Sequence, residues 1–416
     1  MSRVLVDSGV SWLGKIPDSW STCRVKNKFL FHKIIAKEKS VNYDRIALTL
    51  NGVIKRDKDD SSGLQPDNYN GYQIVYKDDL IFKLIDLENV NTSRIGKSEY
   101  EGITSPAYIV LTDKCNTRYS LYYFLNMWYQ EIFNNIGGDG VRSAINKDDL
   151  LKVPFINAPI DEQNKIADYL DKQCKKINEI INDNNHEIEL LEEYKISIIE
   201  NTVKNYNKDC SLRNIDWITS CDKNVELIKL KYNSIISTGT TPKDFEKNET
   251  SNKIDWFTPS DFKSIVLNNS VRKLDIDLVA ENKMFPKNTT LIIGIGGTLG
   301  KVGITQDKCY SNQQITALIG NNKIIPKYLT YNLLSAQKYI KDTCPYTTLP
   351  ILSNSYLKNI FICIRSKEEQ EKIVEYLDNQ ILKIDEVIDY RKKIIEKLEE
   401  YKRSLIYECV TGKREV

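Results

Sequence analysis

The sequence predicts two α/β (α+β) globular domains alternating with two long helices that pack on each other as an antiparallel coiled coil, the whole forming a pseudo-twofold internal repeat. Three observations lead there. Residues 162–195 match residues 369–402 at a constant offset of 207 with no gap. Within both copies apolar residues recur in a 4-3 pattern with no Gly or Pro, the signature of a long helix with one narrow seam. The segments before each helix hold short β-branched and aromatic runs bounded by turn residues, which read as strands.

In chain order, residues 1–159 form the first globular domain, with strand-like runs at 72–84 and 107–111 and a helical stretch at 121–133. Residues 160–205 are the first long helix. Its seam runs through Leu170, Cys174, Ile177, Ile181, Ile188, Leu191 and Ile198, interrupted by Asn184 and Lys195. Residues 206–366 form the second globular domain, with strand-like runs at 290–295 and 315–319 and a helical stretch at 327–341. Residues 367–416 hold the second long helix and a short tail, the seam being Leu377, Ile381, Ile384, Ile388, Ile395, Leu398 and Leu405, interrupted by Arg391 and Lys402. Polar residues at matching seam positions fix register at some cost in stability. Two separate helical hairpins, or a zipper between two chains, are the alternatives to packing within one chain. A weaker echo at the same offset, Leu150 with Leu357 and Val153 with Ile360, indicates that domain and helix were duplicated together and that the domains then diverged further.

Composition narrows the function. At 416 residues, 41% hydrophobic and 28% charged, the chain has material for two or three folded domains. The longest apolar runs, such as 291–295, are far short of a membrane span and no signal-peptide core opens the sequence, so no membrane partner and a cytoplasmic location are expected. Nine cysteines without a Cys-x-x-Cys pair fit a reducing compartment. His32 and His186 stand alone, which argues against a histidine zinc site or a Ser-His-Asp triad. The formal charge is only +2, but it is unevenly spread: +2 over 1–159, −5 over 160–205, +7 over 206–366 and −2 over 367–416.

No catalytic constellation emerges. Gly294-Ile295-Gly296-Gly297-Thr298-Leu299-Gly300-Lys301 fits neither the dinucleotide fingerprint nor the P-loop, and the following Val302-Gly303-Ile304-Thr305 reads as strand where both motifs open a helix, so a strand-turn-strand is expected. The Asn/Asp-Pro-Pro-aromatic motif of an amino-methyltransferase is missing, and the Glu-Tyr-Lys triplets at 193–195 and 400–402 sit on the long helices as ion pairs rather than in a nuclease site. What is left are loops that mix Gly, Thr, Lys or Arg and aromatics, suited to phosphates and base edges though each could be a solvated turn. In the first domain these are 51–56 with Lys55 and Arg56, and 137–142 with Arg142; in the second, 237–243 with Thr240, Thr241 and Lys243, 255–261 with Trp256, and Lys301 after the glycine turn. Trp256 could equally be a core aromatic.

At these residues the chain resembles the DNA-specificity subunit of type I restriction-modification systems. Ser8-Gly9-Val10-Ser11-Trp12-Leu13-Gly14-Lys15-Ile16-Pro17-Asp18-Ser19-Trp20 is similar to the family's opening, and Gly239-Thr240-Thr241-Pro242 with Asp255-Trp256-Phe257-Thr258-Pro259-Ser260-Asp261 resembles two patterns of its target recognition domains. Gly296 to Gly303, Thr347-Thr348-Leu349-Pro350, the Glu-Gln-x-x-Ile starts at Glu162 and Glu369, and Val410-Thr411-Gly412-Lys413 complete an ordered set over essentially the whole chain. The first domain lacks the Gly-Thr-Pro and Gly-Lys-Val-Gly patterns, and Asp255 stands where the family has proline. The resemblance implies two target recognition domains that each read half of a bipartite, asymmetric site in double-stranded DNA. The helices, packed through Leu170, Ile177, Ile181, Leu191, Leu377, Ile384, Ile388 and Leu398, would set the spacer and dock two modification subunits. The chain itself would hold no cofactor and no metal. S-adenosylmethionine would be bound by the modification subunits, and ATP and Mg would be used by the restriction subunits. A specificity polypeptide serving a fused methyltransferase-nuclease, and a coiled-coil structural or adhesion protein, are the alternative readings.

Overall fold

A computed structural model describes residues 3–50, 52–60, 66–85, 94–136, 144–241, 253–275, 284–345 and 350–416. The long helices span Ile160–Asn205 and Lys367–Val410. The chain divides into two compact units, residues 1–184 with 392–416 and residues 185–391, so both cuts fall inside the helices and lie 207 residues apart.

In the first unit, a four-stranded sheet has the order Ile95–Lys97, Leu80–Phe82, Ile109–Asp113, Phe29–His32. A five-stranded sheet has the order Ile34–Ile35, Gln73–Val75, Gly102–Thr104, Arg45–Thr49, Gly52–Arg56. The run at 72–84 is thus two strands, split by a turn in which Asp78 takes φ 69°. The helix expected at 121–133 is Thr117–Tyr129. It starts earlier because the Asn116 side chain accepts the Tyr119 amide, and it stops where Glu131 adopts a left-handed φ of 56°. Its Tyr119, Tyr123 and Phe124 are buried beside Phe29, Phe82 and Phe155, with Phe29 and Phe155 at 5.0 Å and edge to face.

The second unit repeats this plan. Its five-stranded sheet has the order Ser234–Thr238, Ile315–Gly320, Thr290–Ile293, Val302–Thr305, Val266–Leu267, and a three-stranded one the order Lys273–Asp275, Lys253–Phe257, Cys309–Ser311. The helix Pro326–Thr343 covers the expected 327–341. The glycine-rich stretch is a strand-turn-strand, its flanking strands pairing antiparallel. Strands at 95, 102 and 154 of the first unit reappear 207 residues later at 302, 309 and 361, as does the short helix at 147, which reappears at 354. The duplication therefore extends through the globular domains, whose side chains had hidden it.

Each unit builds its part of the antiparallel coil in the same way. In the first, Leu170, Ile177 and the half-buried Ile181 share a core with Leu405, Ile406 and the half-buried Leu398. Lys402 Nζ donates to Asn178 Oδ1 at 2.7 Å. In the second, Ile199 and Val203 share a core with Ile373, Leu377 and Ile381. Ile384 and Ile388 are buried as well, and Leu191 is half-buried. There Lys195, a polar interruption of the seam, reaches Asp385 at 2.7 Å and Glu192 at 2.6 Å, while Arg391 pairs with Glu187.

The repeated polar residues of the helix starts acquire a purpose. Gln163 Nε2 donates back to the Ala158 carbonyl at 2.8 Å, and its counterpart Gln370 to the Arg365 carbonyl at 2.9 Å, satisfying backbone at the point of entry. Asp171 accepts from the Tyr122 hydroxyl and from Arg118, both at 2.8 Å. Asp378 accepts from the Tyr331 hydroxyl and from Lys327. One carboxylate per long helix thus anchors the domain helix in each unit.

Candidate nucleic-acid interface

In the second domain, antiparallel pairing places Thr238 beside Thr316 and Ile293 beside Ile315, while Ile292 faces Val302. The loop after Thr238, the turn at 312–314 and the glycine turn at 294–301 therefore all leave one end of the sheet. Hydrogen bonds tie them together. Gly239 N donates to Ile315 O at 2.9 Å, Thr240 N to Ser311 O at 2.8 Å, and Gly294 N to Gln314 O at 2.7 Å. The Thr241 hydroxyl donates to Gln313 Oε1. Gly239 is required by this approach: a Cβ there would stand 2.3 Å from the Ser311 and Asn312 carbonyl oxygens.

Thr241, Gln313 and Lys301 are exposed on this end, Thr240 is half-exposed, and Lys301 has no ion-pair partner among the described residues. Lys243 lies outside the described residues. Of the two roles open to Trp256, the structure shows the core one and not the base contact. The residue is 4% exposed, packed with Leu274 and Tyr310, and its indole N–H donates to the Thr240 carbonyl at 3.1 Å. An aromatic ring of that size gains most by burial, and here it supports the loop from beneath. The neighbouring acids are likewise used internally. Asp255 Oδ1 accepts the Ser270 amide at 3.0 Å, and Asp261 accepts the Thr258 and Val271 amides at 2.7 and 2.9 Å. The aromatic motif at 255–261 thus builds a scaffold, and the exposed Gln313 side chain, which sequence reasoning passed over, joins the presented surface, while Asn312 is buried and donates to Gln314 Oε1 at 2.9 Å. The polar run Ser311-Asn312-Gln313-Gln314 before a β-branched strand was the available signal, since Asn and Gln side chains can pair bidentately with adenine.

In the first domain, Lys55 and Arg56 lie on the edge strand Gly52–Arg56, paired with Arg45–Thr49. Both cations have carboxylate neighbours: Lys55 Nζ is 2.6 Å from Asp44, and Arg56 Nε is 2.6 Å from Asp60. The Asp44 carboxylate holds the Lys55 ammonium above its usual range and is itself held below the usual carboxylate range. Arg142, with the rest of the loop 137–142, lies outside the described residues. Among the described residues no group of His, Cys, Asp or Glu is placed to hold a metal ion, and no helix is long and apolar enough to cross a membrane.

Comparison with known proteins agrees with this geometry. A family model for the type I restriction modification DNA specificity domain matches twice, over residues 22–190 and 223–400. A putative type I restriction enzyme MjaX specificity subunit of Methanocaldococcus jannaschii is 22% identical over 96% of this chain and 95% of its own length. The MjaIX specificity subunit of the same organism is 29% identical over 42% of this chain and 41% of its own length, so that match spans less than half of the relative. A solved chain from a study of complex assembly and conformational transition of the type I system superposes with a TM-score of 0.68 at 14% identity, covering 95% of this chain and 98% of that one.

Proposed function

The chain belongs to the type I restriction-modification DNA specificity family, and on that premise we propose that it is the non-catalytic subunit that selects the DNA sequence on which partner subunits act. Each globular domain reads one half of a bipartite, asymmetric site in double-stranded DNA. The two helices set the unspecified spacer and give two modification subunits equivalent docking sites, because a duplicated chain offers the same surface twice. S-adenosylmethionine is bound by those modification subunits, and ATP with Mg is used by restriction subunits.

The observation that carries the reading is the contrast within the repeat. Asp171 and Asp378, 207 residues apart, each anchor a domain helix through a tyrosine hydroxyl and a cation, whereas the loops at the sheet ends differ between the two domains. A shared frame with unlike loops suits two unlike half-sites read in one geometry. Thr240, Thr241 and Lys301, joined by Gln313, are the contact residues of the second domain in this reading. Lys243 and Arg142 are further phosphate contacts in this reading, and Lys55 and Arg56, engaged by Asp44 and Asp60, contribute less.

The test is to express the chain with its modification subunit and map methylated adenines by single-molecule sequencing. Two short, unrelated half-sites at one fixed spacing are expected. A continuous palindrome would overturn the reading.

A further inference from the structure

The first domain carries no counterpart of the second domain's loop motif in its sequence, but the repeat shows where the counterpart lies. The edge strand Phe29–His32 pairs with Ile109–Asp113 as Ser234–Thr238 pairs with Ile315–Gly320. In both domains the chain then leaves the sheet and re-enters as a strand running parallel to a third one, Arg45–Thr49 beside Gly102–Thr104 and Lys253–Phe257 beside Cys309–Ser311. Residues from Ile34 onward therefore leave this edge strand as Gly239–Thr241 leave theirs.

In both domains a side chain near the end of this strand reaches the same turn. Lys33 Nζ donates to the Pro106 carbonyl at 2.9 Å, and Pro106 stands 207 residues before Gln313, the partner of Thr241. The segment is also held in place. Ala36 N donates to Tyr72 O at 2.8 Å, Lys37 N to Asn70 O at 3.1 Å, and Ser40 Oγ to Asn70 Oδ1 at 3.1 Å. Ala36 is buried with Ile74 and Ile103 against Tyr43, Tyr69 and Tyr72.

What this fixed segment shows to solvent is basic and apolar. Lys33, Lys37 and Lys39 are exposed, with Glu38 the single acid between them, and none of the three lysines has an acidic partner among the described residues. Ile34 and Ile35 are 42% and 37% exposed, and Val41 77%. By contrast Lys55 and Arg56, on the neighbouring hairpin, already face Asp44 and Asp60.

We propose that the first domain contacts its half-site through residues 33–41, with Lys33, Lys37 and Lys39 on backbone phosphates and Ile34 and Ile35 toward the groove, where apolar side chains can meet thymine methyls. This rests on the specificity-subunit reading above. Phosphate contacts release counterions, so each lysine engaged adds about 0.9 to the slope of log affinity against log salt.

The experiment measures binding of the full chain, purified with its modification subunit, to a mixed pool of fluorescent duplexes at four salt concentrations. The variants are Lys33→Gln/Lys37→Gln/Lys39→Gln and Lys55→Gln/Arg56→Gln, with melting temperatures alongside. The triple variant should melt like the parent and lose about two to three from the salt slope, and the double variant should lose less than one. A triple variant with the parent's slope, or a double variant that loses more than the triple, overturns the proposal while leaving the specificity reading standing. Absence of salt-dependent duplex binding by the parent complex overturns both.

Discussion

The carbonyls that end the first long helix and their repeats in the second are satisfied by different chemistry. Val203 and Val410 stand 207 residues apart. In the first unit the Tyr119 hydroxyl donates to the Val410 carbonyl at 3.1 Å. In the second, Arg365 Nη2 donates to the carbonyls of Val203 at 3.2 Å and Lys204 at 2.9 Å, and to Asp222 at 2.7 Å. The Arg365 and Asp222 side chains are both 0% exposed. A neutral hydroxyl bond contributes about 1 kcal/mol, so Tyr119→Phe should be mild. Removing one member of a buried ion pair strands the other, so Arg365→Met should cost about 3–5 kcal/mol. Arg365→Met with Asp222→Asn should recover part of that loss, because the stranded charge is gone. Urea unfolding of the three variants checks the order; equal losses for Tyr119→Phe and Arg365→Met would show that the ion pair is not fully desolvated in solution. Nothing in the sequence flagged this site, because Arg365 and Asp222 lie 143 residues apart and outside every motif.

Loops and helices differed in how far they could be read from sequence. The long helices were legible to within a residue or two because a two-helix seam demands an apolar side chain at most 4-3 positions, and 44 to 46 residues repeat the message many times. The domain strands are only three to six residues long in most cases, and a buried strand accepts nearly any β-branched or aromatic side chain, so divergence erased the likeness. What survived are places where a side chain cannot fit. Gly96 and Gly303, again 207 apart, would each drive a Cβ into a packed leucine, Leu48 at 2.5 Å and Leu267 at 2.8 Å. For Trp256 the sequence left base contact and core burial both open, because a motif does not say which side of a loop an aromatic takes. The same logic makes the second-domain loop testable as an element. Gly239→Ala must move the 239–241 segment off Ser311, which should abolish discrimination at the second half-site while the salt slope changes by less than one. Thr241→Ala should cost on the order of 1 kcal/mol on the cognate half-site alone, and Lys301→Gln should lower affinity for all sequences and the slope by about one. Titrations of cognate and scrambled duplexes at three salt concentrations separate these outcomes; a uniform loss for Thr241→Ala would remove it from base readout.

At the scale of the molecule, the repeat determines where the chain can be altered without damage to either domain. An insertion near Asn201 falls among Ile199 and Val203, which belong to the second domain's core, and would shift the Val203 carbonyl from Arg365. The positions after Asn184 and after Arg391 are better placed, since they coincide with the unit boundaries and are themselves related by the repeat. Seven residues at each keep the 4-3 seam in phase, whereas four in a single helix would turn apolar residues away from their partners. Flanking register contacts stay inside their own units: Lys402 with Asn178 on one side, Lys195 with Asp385 on the other. Seven helical residues add about 10 Å, the length of about three base pairs at 3.4 Å each. If the helices are the ruler, as in the proposed function, the variant's methylated motif should keep both half-sites and gain about three unspecified positions between them. A one-helix insertion should lower the melting temperature and give no methylation, because the seam cannot close. An active double-insertion variant whose motif retains the parental spacing would show that the distance between half-sites is set elsewhere, in the modification subunits or in the bending of the DNA.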